Sequence, residues 1–307
     1  MSFEKLRENL ANISQRESML SERRICELYD LAELAAEAWQ EQASLGLGVY
    51  DIMALLTEEL SWDEVHVHGA AMPGNVRALE QYERCSVPLD RAVFCEMLLS
   101  ALSGRGITLS ERDFLESEDT PERMAYVKSQ YADEAYDVFS QDFSDPTFTY
   151  AGSIRAATDM LERGEVGYCL LPLEENNSRI SSVMEIICKR DYKINSVTPV
   201  FGFDGLANMK YALVSKGFSL SPVRAEDDRY LELRIPTEST DRLRELLLVT
   251  AYLGARVYRL NTVSVDGASD QYSLILERDG RSFVDVLTYL TLFTENYIPV
   301  GIYKNIE

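Results

Sequence analysis

Apolar side chains recur at helical spacing through the first part of the chain. From Phe3 to about residue 44 they fall three or four positions apart, with no proline or glycine before Gly46. One long helix or two joined helices are predicted there, and such a helix needs a partner to bury its apolar stripe. Helical spacing resumes at Val49–Leu60 and at Val87–Leu102. The pattern predicts an all-helical region over 1–110.

From Arg123 onward, short apolar runs alternate with helical segments. Such alternation predicts an α/β unit, placed at 123–218, and the acidic, apolar-poor stretch 111–122 is expected to be a linker. The predicted strands are Arg123–Val127, Phe148–Tyr150, Tyr168–Leu171, Ile194–Val200 and Asn208–Val214. The predicted helices begin near Tyr131, span 152–163, and begin again at Ser181.

The stretch from Gly164 to Ser178 holds the main polar cluster of this unit. A buried strand, Tyr168–Leu171, is expected to end at Pro172, which cannot donate to a sheet ladder. Two carboxylates, two amides and a hydroxyl follow at Glu174–Ser178, where the carboxyl end of a strand offers a ligand site. Asn177 or Ser178 would cap the next helix, whose N-terminus suits an anion.

The C-terminal segment, 229–307, has the clearest order of elements. Its pattern predicts the order strand–helix–strand–strand–helix–strand, typical of a ferredoxin-like sandwich. The predicted strands are Tyr230–Ile235, Val257–Val265, Tyr272–Glu277 and Ile298–Tyr303, and the helices are Thr240–Leu253 and Phe283–Phe293. The predicted fold class is therefore mixed α/β and α+β, with several domains.

The amino-acid composition argues against several classes of function. The net charge of −21 disfavours binding to nucleic acid or to an anionic membrane. There is neither an apolar run long enough to span a bilayer nor an apolar signal core, so a cytoplasmic protein is expected. The 5 cysteines are scattered, and they are expected to be reduced and buried.

Metal chemistry has one weak candidate. His66 and His68 are the only histidines, and on a strand they would point to the same side. No third ligand is fixed by spacing, so an exposed turn is the preferred interpretation and no metal or cofactor is expected.

The segment Gly-Glu-Val-Gly-Tyr-Cys-Leu-Leu-Pro-Leu-Glu-Glu-Asn-Asn-Ser resembles a conserved segment of prephenate dehydratases, in the first lobe of a periplasmic-binding-protein-like domain. Asn-Met-Lys-Tyr-Ala-Leu-Val, at 208–214, resembles the strand on which that family carries a catalytic Thr-Arg-Phe. The resemblance implies catalytic positions at Lys210 and Glu174, with Met209 and Tyr211 flanking the lysine. It implies substrate contacts at Asn176, Asn177 and Ser178.

Two departures from this family stand out. Met209 cannot donate a proton, and Lys210 offers a point charge in place of a bidentate arginine. The family's second lobe is missing between the strands at 194–200 and 208–214. Loss of an acid catalyst typically costs about 10²–10⁴-fold in rate.

The first helix resembles that of all-helical chorismate mutases. Leu6-Arg7-Glu8 and Glu22-Arg23-Arg24 carry the likeness, which implies substrate contacts at Arg7 and Arg24. Ala54 and Leu55 stand where that family has arginine and glutamate. Mutase activity is therefore less expected than retention of the helical fold.

The C-terminal segment, following a dehydratase-like unit, resembles an ACT domain, the module that senses amino acids. The family's phenylalanine-binding motifs would fall at Asp241-Arg242-Leu243 and at Asn261-Thr262-Val263-Ser264, and both are largely replaced. The implied regulatory positions are Asp241, Leu243 and Asn261. Since ACT sheets commonly pair side by side, a homodimer is expected.

These resemblances together predict a degenerate relative of the mutase–dehydratase–ACT enzymes of phenylalanine biosynthesis. It would act as a dimeric sensor of a small aromatic or prephenate-like ligand. Two alternatives remain open. One is an active prephenate dehydratase with a rebuilt site, using Glu174, Glu175 or Tyr211 as the acid. The other is a scaffold that binds no ligand.

Overall fold

A computed structural model describes residues 3–60, 76–115, 120–201, 207–219, 230–236, 240–263, 271–278, 282–294 and 296–304. For 3–20, 76–86, 207–208 and 240–241 it describes the backbone alone. The chain divides into two compact units. The first comprises Met1–Leu109 and Thr291–Phe293, and the second comprises Ser110–Leu290 and Thr294–Glu307.

Three helices build the first unit. They are α1 (Phe3–Ser44), α2 (Val49–Glu59) and α3 (Val76–Gly104). The long N-terminal pattern therefore forms one continuous helix. The third helix begins earlier than Val87, where the apolar pattern placed its start. Gly46 lies in the turn between α1 and α2. Its φ of +90° is a conformation that glycine adopts without a Cβ clash.

Small side chains allow α1 to pack closely on its neighbours. Ala32 and Ala36 are fully buried beside Trp39, and Leu98 is buried on α3. Arg105, at the end of α3, reaches Glu33 of α1 at 2.8 Å. The Arg105 hydrogen bond lowers the pKa of the Glu33 carboxyl below its usual value. The pair ties the C-terminal end of α3 to α1.

The second unit contains all of the described strands and the remaining helices, apart from Thr291–Phe293 at the end of the last helix, which belong to the first unit. After a short 3-10 helix at Glu111–Asp113, its strands are β1 (Arg123–Val127), β2 (Thr147–Ala151), β3 (Tyr168–Glu175), β4 (Ser178–Arg179), β5 (Lys193–Phe201), β6 (Ala207–Ser215), β7 (Tyr230–Pro236), β8 (Arg256–Val263), β9 (Gln271–Glu277) and β10 (Ile298–Tyr303). Its helices are α4 (Gln130–Phe139), α5 (Ile154–Glu162), α6 (Ser181–Lys189), α7 (Thr240–Tyr252) and α8 (Val284–Phe293), with a second 3-10 helix at Ser140–Asp142. Every strand and helix expected from Arg123 onward is present, and the mixed α/β class is confirmed.

One continuous sheet joins the two segments that the sequence assigned to separate domains. Its order is β2-β1-β3-β6-β5-β10-β7-β9-β8, with β4 paired to β3. β1 runs parallel to β2 and β3, whereas β6 is antiparallel to both β3 and β5. β10 pairs with β5 in parallel, at Gly301 and Ile194. The C-terminal strands lie in the order β10-β7-β9-β8, all antiparallel.

Two apolar layers cover opposite faces of the α/β part of this sheet. On one face α5 and α6 bury Ala157, Leu161, Val183 and Met184 against alternate residues of β3, β5 and β6. On the other face α4 buries Ala135 and Phe139 with a different set that includes Tyr211. Successive residues of β6 therefore face different layers, as the two-residue period of a strand requires.

Pro172 does not end its strand, contrary to the sequence prediction. β3 continues to Glu175, and its register with β6 shifts between Pro172 and Glu174. A proline is tolerated at such a bulge because the ladder is already interrupted. The extra residue sets both Leu173 and Glu174 opposite Lys210. The bulge thus turns Glu174 toward the α6 face.

The described part of the predicted linker is packed. Phe114 and Leu115 are buried, and the buried Glu111 carboxylate accepts a hydrogen bond from the Phe283 backbone N–H at 2.9 Å. A carboxylate at a helix N-terminus is stabilised by the N–H groups exposed there. At least one acidic residue of this stretch, Glu111, therefore stabilises the start of a helix.

Cysteine burial is as predicted for Cys95, Cys169 and Cys188, but the prediction was wrong for Cys26, which is exposed. Burial raises the pKa of the Cys169 thiol to about 12. We expect iodoacetamide at about pH 8 to modify Cys26 in the native protein and Cys169 only after unfolding, since the thiolate is the reactive form. Peptide mass mapping before and after denaturation checks this, and native labelling of Cys169 would contradict the packing.

None of the described helices is both long and apolar enough to cross a bilayer. Several predictions fall outside the described residues: His66 and His68, the turns at Met72–Asn75 and Asp266–Gly267, and the turn at Asp279–Gly280.

Candidate functional site

The polar cluster after β3 forms a tight hairpin with β4. Glu175 pairs with Ser178 across the ladder, and Asn176 and Asn177 make the turn at φ +49° and +61°. Two consecutive residues at positive φ are the geometry of a type I′ hairpin turn, in which asparagine is favoured. The two amides predicted as ligand contacts thus have a conformational role of their own. The prediction that Asn177 or Ser178 caps the next helix was wrong. The N-cap residue of α6 is Ile180, and no side-chain cap hydrogen bond forms there.

Three cations surround the Glu174 carboxylate. Arg259 of β8 donates from Nη1 to Oε1 at 2.6 Å, and the Arg179 Nε lies 3.2 Å from the same oxygen. Lys210 Nζ lies 4.0 Å from Oε2. Glu174 is only 5% exposed, so these partners compensate a charge that would be costly to bury alone. The two predicted catalytic residues are therefore brought together, inside an ion-pair network.

A second buried carboxylate extends this network into the C-terminal segment. Glu232 of β7 is fully buried and accepts hydrogen bonds from Arg179 Nη2 at 2.9 Å, Tyr303 at 2.9 Å and Ser273 at 3.1 Å. Burial, and then the neighbouring Glu232, raises the pKa of the Tyr303 phenol well above its usual value. Burial alone would lower the pKa of Arg179, but Glu232 and Tyr303 raise it. Arg179 therefore stays charged and joins the two carboxylates.

A pocket of about 630 Å³ opens beside these arginines. Its wall comes from the β3–β4 hairpin, the start of α6 and the strands β8 and β9. The lining comprises Asn177, Ser178, Arg179, Ser181, Met184, Glu185, Arg259, Asn261, Thr262, Val263 and Ser273. Two predicted substrate contacts, Asn177 and Ser178, thus lie in the same pocket as the predicted regulatory residue Asn261.

Of the other two acid candidates, Glu175 is exposed at the end of β3, where it pairs with Ser178, and Tyr211 lies on the opposite face of the sheet. Tyr211 packs in the α4 layer together with Met209, and Lys210, which lies between them on β6, therefore points to the other face of the sheet. The Tyr211 hydroxyl lies 3.4 Å from Ser129 Oγ, and that oxygen caps α4 by accepting from the Ala132 N–H at 3.1 Å. Burial raises the pKa of Tyr211 above its usual value. The sheet therefore separates this phenol from the Glu174–Lys210 pair.

The other predicted positions are dispersed. Arg24 forms an ion pair with Asp90 of α3, and the side chain of Arg7 is not among those described. Leu243 is buried in α7 and is absent from the pocket lining, and the Asp241 side chain is likewise not described. A second pocket, of about 470 Å³ between α1 and α3, includes Arg105 but neither predicted arginine. Arg105 is already paired with Glu33 there.

Arg179, Arg259 and Glu232 were missed by the sequence reading. Each sits in a predicted strand or just before a predicted helix, where a single charge is usually solvated. Their partners lie 53 and 85 positions away along the chain. The available signal was a charged residue at a strand position that the two-residue period places on the buried face. Among the described residues no group of histidine, cysteine and carboxylate side chains could hold a metal.

No protein-family model matches the chain, and no curated protein sequence matches it either. Solved structures with similar folds include prephenate dehydratase from Streptococcus mutans, at 13% identity and TM-score 0.48, covering 60% of this chain and 99% of that one. Another is GqqA, described as a novel type of quorum quenching acylase, at 16% identity and TM-score 0.45, covering 60% and 95%. A third is prephenate dehydratase of Arthrobacter aurescens in complex with L-Phe, at 12% identity and TM-score 0.45, covering 59% and 90%. Likenesses this distant assign no activity to the chain.

Proposed function

We propose that this protein is a non-catalytic, ligand-responsive relative of the prephenate dehydratases, acting as a regulatory dimer in aromatic amino-acid metabolism. The proposal rests on the contacts of the two candidate catalytic residues, Glu174 and Lys210. Glu174 is held by Arg259 at 2.6 Å and Arg179 at 3.2 Å, with Lys210 at 4.0 Å. A carboxylate whose Oε1 already pairs with two arginines would have to give up those contacts to reach a substrate, and a catalytic acid or base must lie within hydrogen-bond reach of the reacting group.

The connection between β5 and β6 supports the loss of dehydratase chemistry. β5 ends at Phe201 and β6 begins at Ala207, and the two strands pair directly as neighbours. The resemblance to prephenate dehydratases implies a whole lobe at this point, which would close over the substrate. Only residues 202–206 stand there. A substrate held on one side alone lacks the enclosure that orients it and excludes water.

The alternative of a rebuilt active dehydratase needs an acid and a cation in one cleft. Tyr211 keeps its proton at neutral pH, but it lies on the α4 face while Lys210 points to the other face of the sheet. General acid catalysis requires the donor within hydrogen-bond reach of the leaving group. The geometry therefore favours binding over turnover.

The proposed dimer would use the edge of the sheet at β8, the last strand in the order of the described strands. This strand is terminal in the sheet order and exposes Val257, Tyr258 and Leu260 by 42%, 44% and 40%. Open edges with apolar side chains readily pair with another strand, here the β8 of a second copy. Such pairing would extend the antiparallel C-terminal strands side by side.

Leu260→Lys is expected to shift the protein from dimer to monomer, because a lysine at an edge strand opposes pairing. Sedimentation velocity measures the change. Leu55→Lys is the matched control, since Leu55 of α2 is also 40% exposed and lies in the helical unit. A wild-type monomer, or a dimer untouched by Leu260→Lys, would contradict this interface.

A thermal-shift panel tests ligand sensing. The compounds are phenylalanine, tyrosine, tryptophan, prephenate and chorismate, and we expect at least one to raise the melting temperature. A ligand at about 100 times its Kd contributes about 2.7 kcal/mol of stability. If no compound shifts the transition, the protein is a scaffold and the proposal fails.

A further inference from the structure

The strand β2 forms an uninterrupted edge of the sheet. It is the first strand in the order of the described strands, and among them it pairs only with β1, in a parallel register without a break from Thr147 to Ala151. Edge strands are usually protected by a charged side chain, a proline or a bulge, because they otherwise accept a further strand. The sequence of β2, Thr-Phe-Thr-Tyr-Ala, contains none of these. This edge therefore has the geometry of a strand acceptor.

Two exposed aromatic rings lie on one face of β2. Phe148 and Tyr150 are 44% and 46% exposed, and Thr149 between them points to the other face, where its hydroxyl accepts a hydrogen bond from Arg123. The two ring centroids are 5.1 Å apart, and both rings pack on the buried Tyr126, at 5.8 and 5.3 Å. Aromatic side chains that are held in place and still exposed are typical anchors of protein interfaces.

Carboxylates flank the two rings at both ends of the strand. Before β2, Glu122 accepts a hydrogen bond from the N–H of Asp145 at 2.7 Å. At the other end, Asp133 accepts one from the Tyr150 hydroxyl at 3.2 Å. The segment 130–150 contains no lysine, arginine or histidine, and its acidic residues are Asp133, Glu134, Asp137, Asp142 and Asp145. The surface around the rings is therefore complementary to a partner that carries positive charge.

A cation of the chain itself already lies on one of these rings. Lys128 Nζ is 5.0 Å from the centroid of the Tyr150 ring. The face of an aromatic ring attracts cations, and the attraction is strongest where water is displaced. Lys128 is exposed, so a basic side chain of a partner can replace it on the ring. The geometry thus suits a partner that is both apolar and basic.

The charge pattern distinguishes between the possible occupants of this edge. A second copy would bring two acidic 130–150 segments together, and like charges oppose such pairing. The opposite edge of the described sheet is β8, whose charged residues, Arg256 and Arg259, are both basic. A basic segment is therefore directed to β2 and away from β8.

We propose that β2 is a docking site for an extended, basic segment of another protein, which joins the sheet as an added strand. Alternate apolar side chains of this segment lie on Phe148 and Tyr150, and its basic side chains reach Asp145 and Asp133 at the two ends. In this mode of recognition the main-chain hydrogen bonds supply affinity, and the alternate side chains supply specificity. The inference goes beyond the proposed ligand sensing and does not depend on it.

Fluorescence polarisation with the labelled peptide acetyl-Arg-Thr-Val-Thr-Ile-Thr-Arg-amide tests the recognition chemistry. Its valine and isoleucine are two positions apart, like Phe148 and Tyr150, and its arginines stand at the ends. One control peptide carries glutamate in place of both arginines, and the other carries proline in place of the central threonine. We expect each control to compete at least about tenfold more weakly. Equal competition by the three peptides, or no binding of the first, would overturn the proposal.

Two variants test the location. Phe148→Ser removes an exposed ring, and Asp145→Lys reverses a charge at the end of the strand. Each is expected to weaken the arginine peptide about fivefold or more. Leu34→Ser and Glu41→Lys are the matched controls, because both residues are exposed on α1, and they should leave binding unchanged. Circular dichroism establishes that each variant is folded. Unchanged binding in both test variants would contradict the assignment to β2.

Hydrogen exchange measured by mass spectrometry identifies the sheet edge and its occupant. The arginine peptide should slow exchange over 143–151 and leave 256–263, which includes β8, unchanged. Protection at 256–263 in place of 143–151 would overturn the proposal. Protection of 143–151 that rises with protein concentration in the absence of peptide would overturn it too, because a second copy would then occupy the edge. Neither result bears on ligand sensing, which the thermal-shift panel tests separately.

Discussion

Arg179→Met is expected to destabilise the protein by about 3–5 kcal/mol, the typical cost of removing one partner from a buried ion pair. Arg179 lies between Glu232 at 2.9 Å and Glu174 at 3.2 Å, and Glu232 is fully buried. Methionine fills a similar volume but compensates neither charge. Urea unfolding monitored by circular dichroism measures the change in unfolding free energy.

The double variant Arg179→Met/Glu232→Gln tests whether the cost comes from the orphaned carboxylate. A neutral amide needs no counter-charge, so the double variant should recover part of the lost stability. Arg163→Met is the control, because Arg163 pairs with Glu165 at an exposed site where its side chain is 57% accessible. Exposed pairs contribute little, so this variant should unfold like the wild type. A single variant as stable as the control would show that Arg179 does not sustain the network.

Gly167→Ala is expected to cost about 3 kcal/mol or more, at the upper end for overpacking. A Cβ there would lie 2.1 Å from the Pro121 carbonyl oxygen and 2.5 Å from the Thr120 methyl. The backbone cannot retreat easily, because the Gly167 N–H donates to the Arg123 carbonyl at 2.9 Å. The glycine allows the segment before β1 to cross the start of β3 at close range.

Gly152→Ala is the matched control for this substitution. An added Cβ at Gly152 would meet nothing within 4 Å, and its φ is not in the left-handed region. The control should be as stable as the wild type or slightly more so, since alanine reduces the entropy of the unfolded chain. Equal urea midpoints for Gly167→Ala and Gly152→Ala would contradict the close crossing at Pro121.

The order of helices and strands followed from hydrophobic periodicity, because each element buries one face or both at a regular spacing. The short apolar run at Tyr168–Leu171 and the helical spacing at 152–163 fixed those elements to within a few residues. The extension of β3 past Pro172 could not be read in this way. It depends on pairing with β6, a contact between residues far apart in the sequence.

The candidate site was only partly predictable for the same reason. Glu174 and Lys210 were identified from a family resemblance, and they do meet in the structure. Arg259 lies in the C-terminal segment and reaches Glu174 because β10 joins β5 and makes the sheet continuous. No local pattern encodes that junction. Asn176 and Asn177 were interpreted as ligand contacts, and their positive φ gives the pair a conformational reason as well.

The most direct test of the central claim is a prephenate turnover assay that follows phenylpyruvate by its absorbance. With the wild-type protein we expect no phenylpyruvate above the uncatalysed background. Lys210→Ala should give the same trace, as should Lys216→Ala at an exposed lysine. Phenylpyruvate formed by the wild type and by Lys216→Ala, but lost in Lys210→Ala, would contradict the claim that this scaffold binds its ligand without converting it.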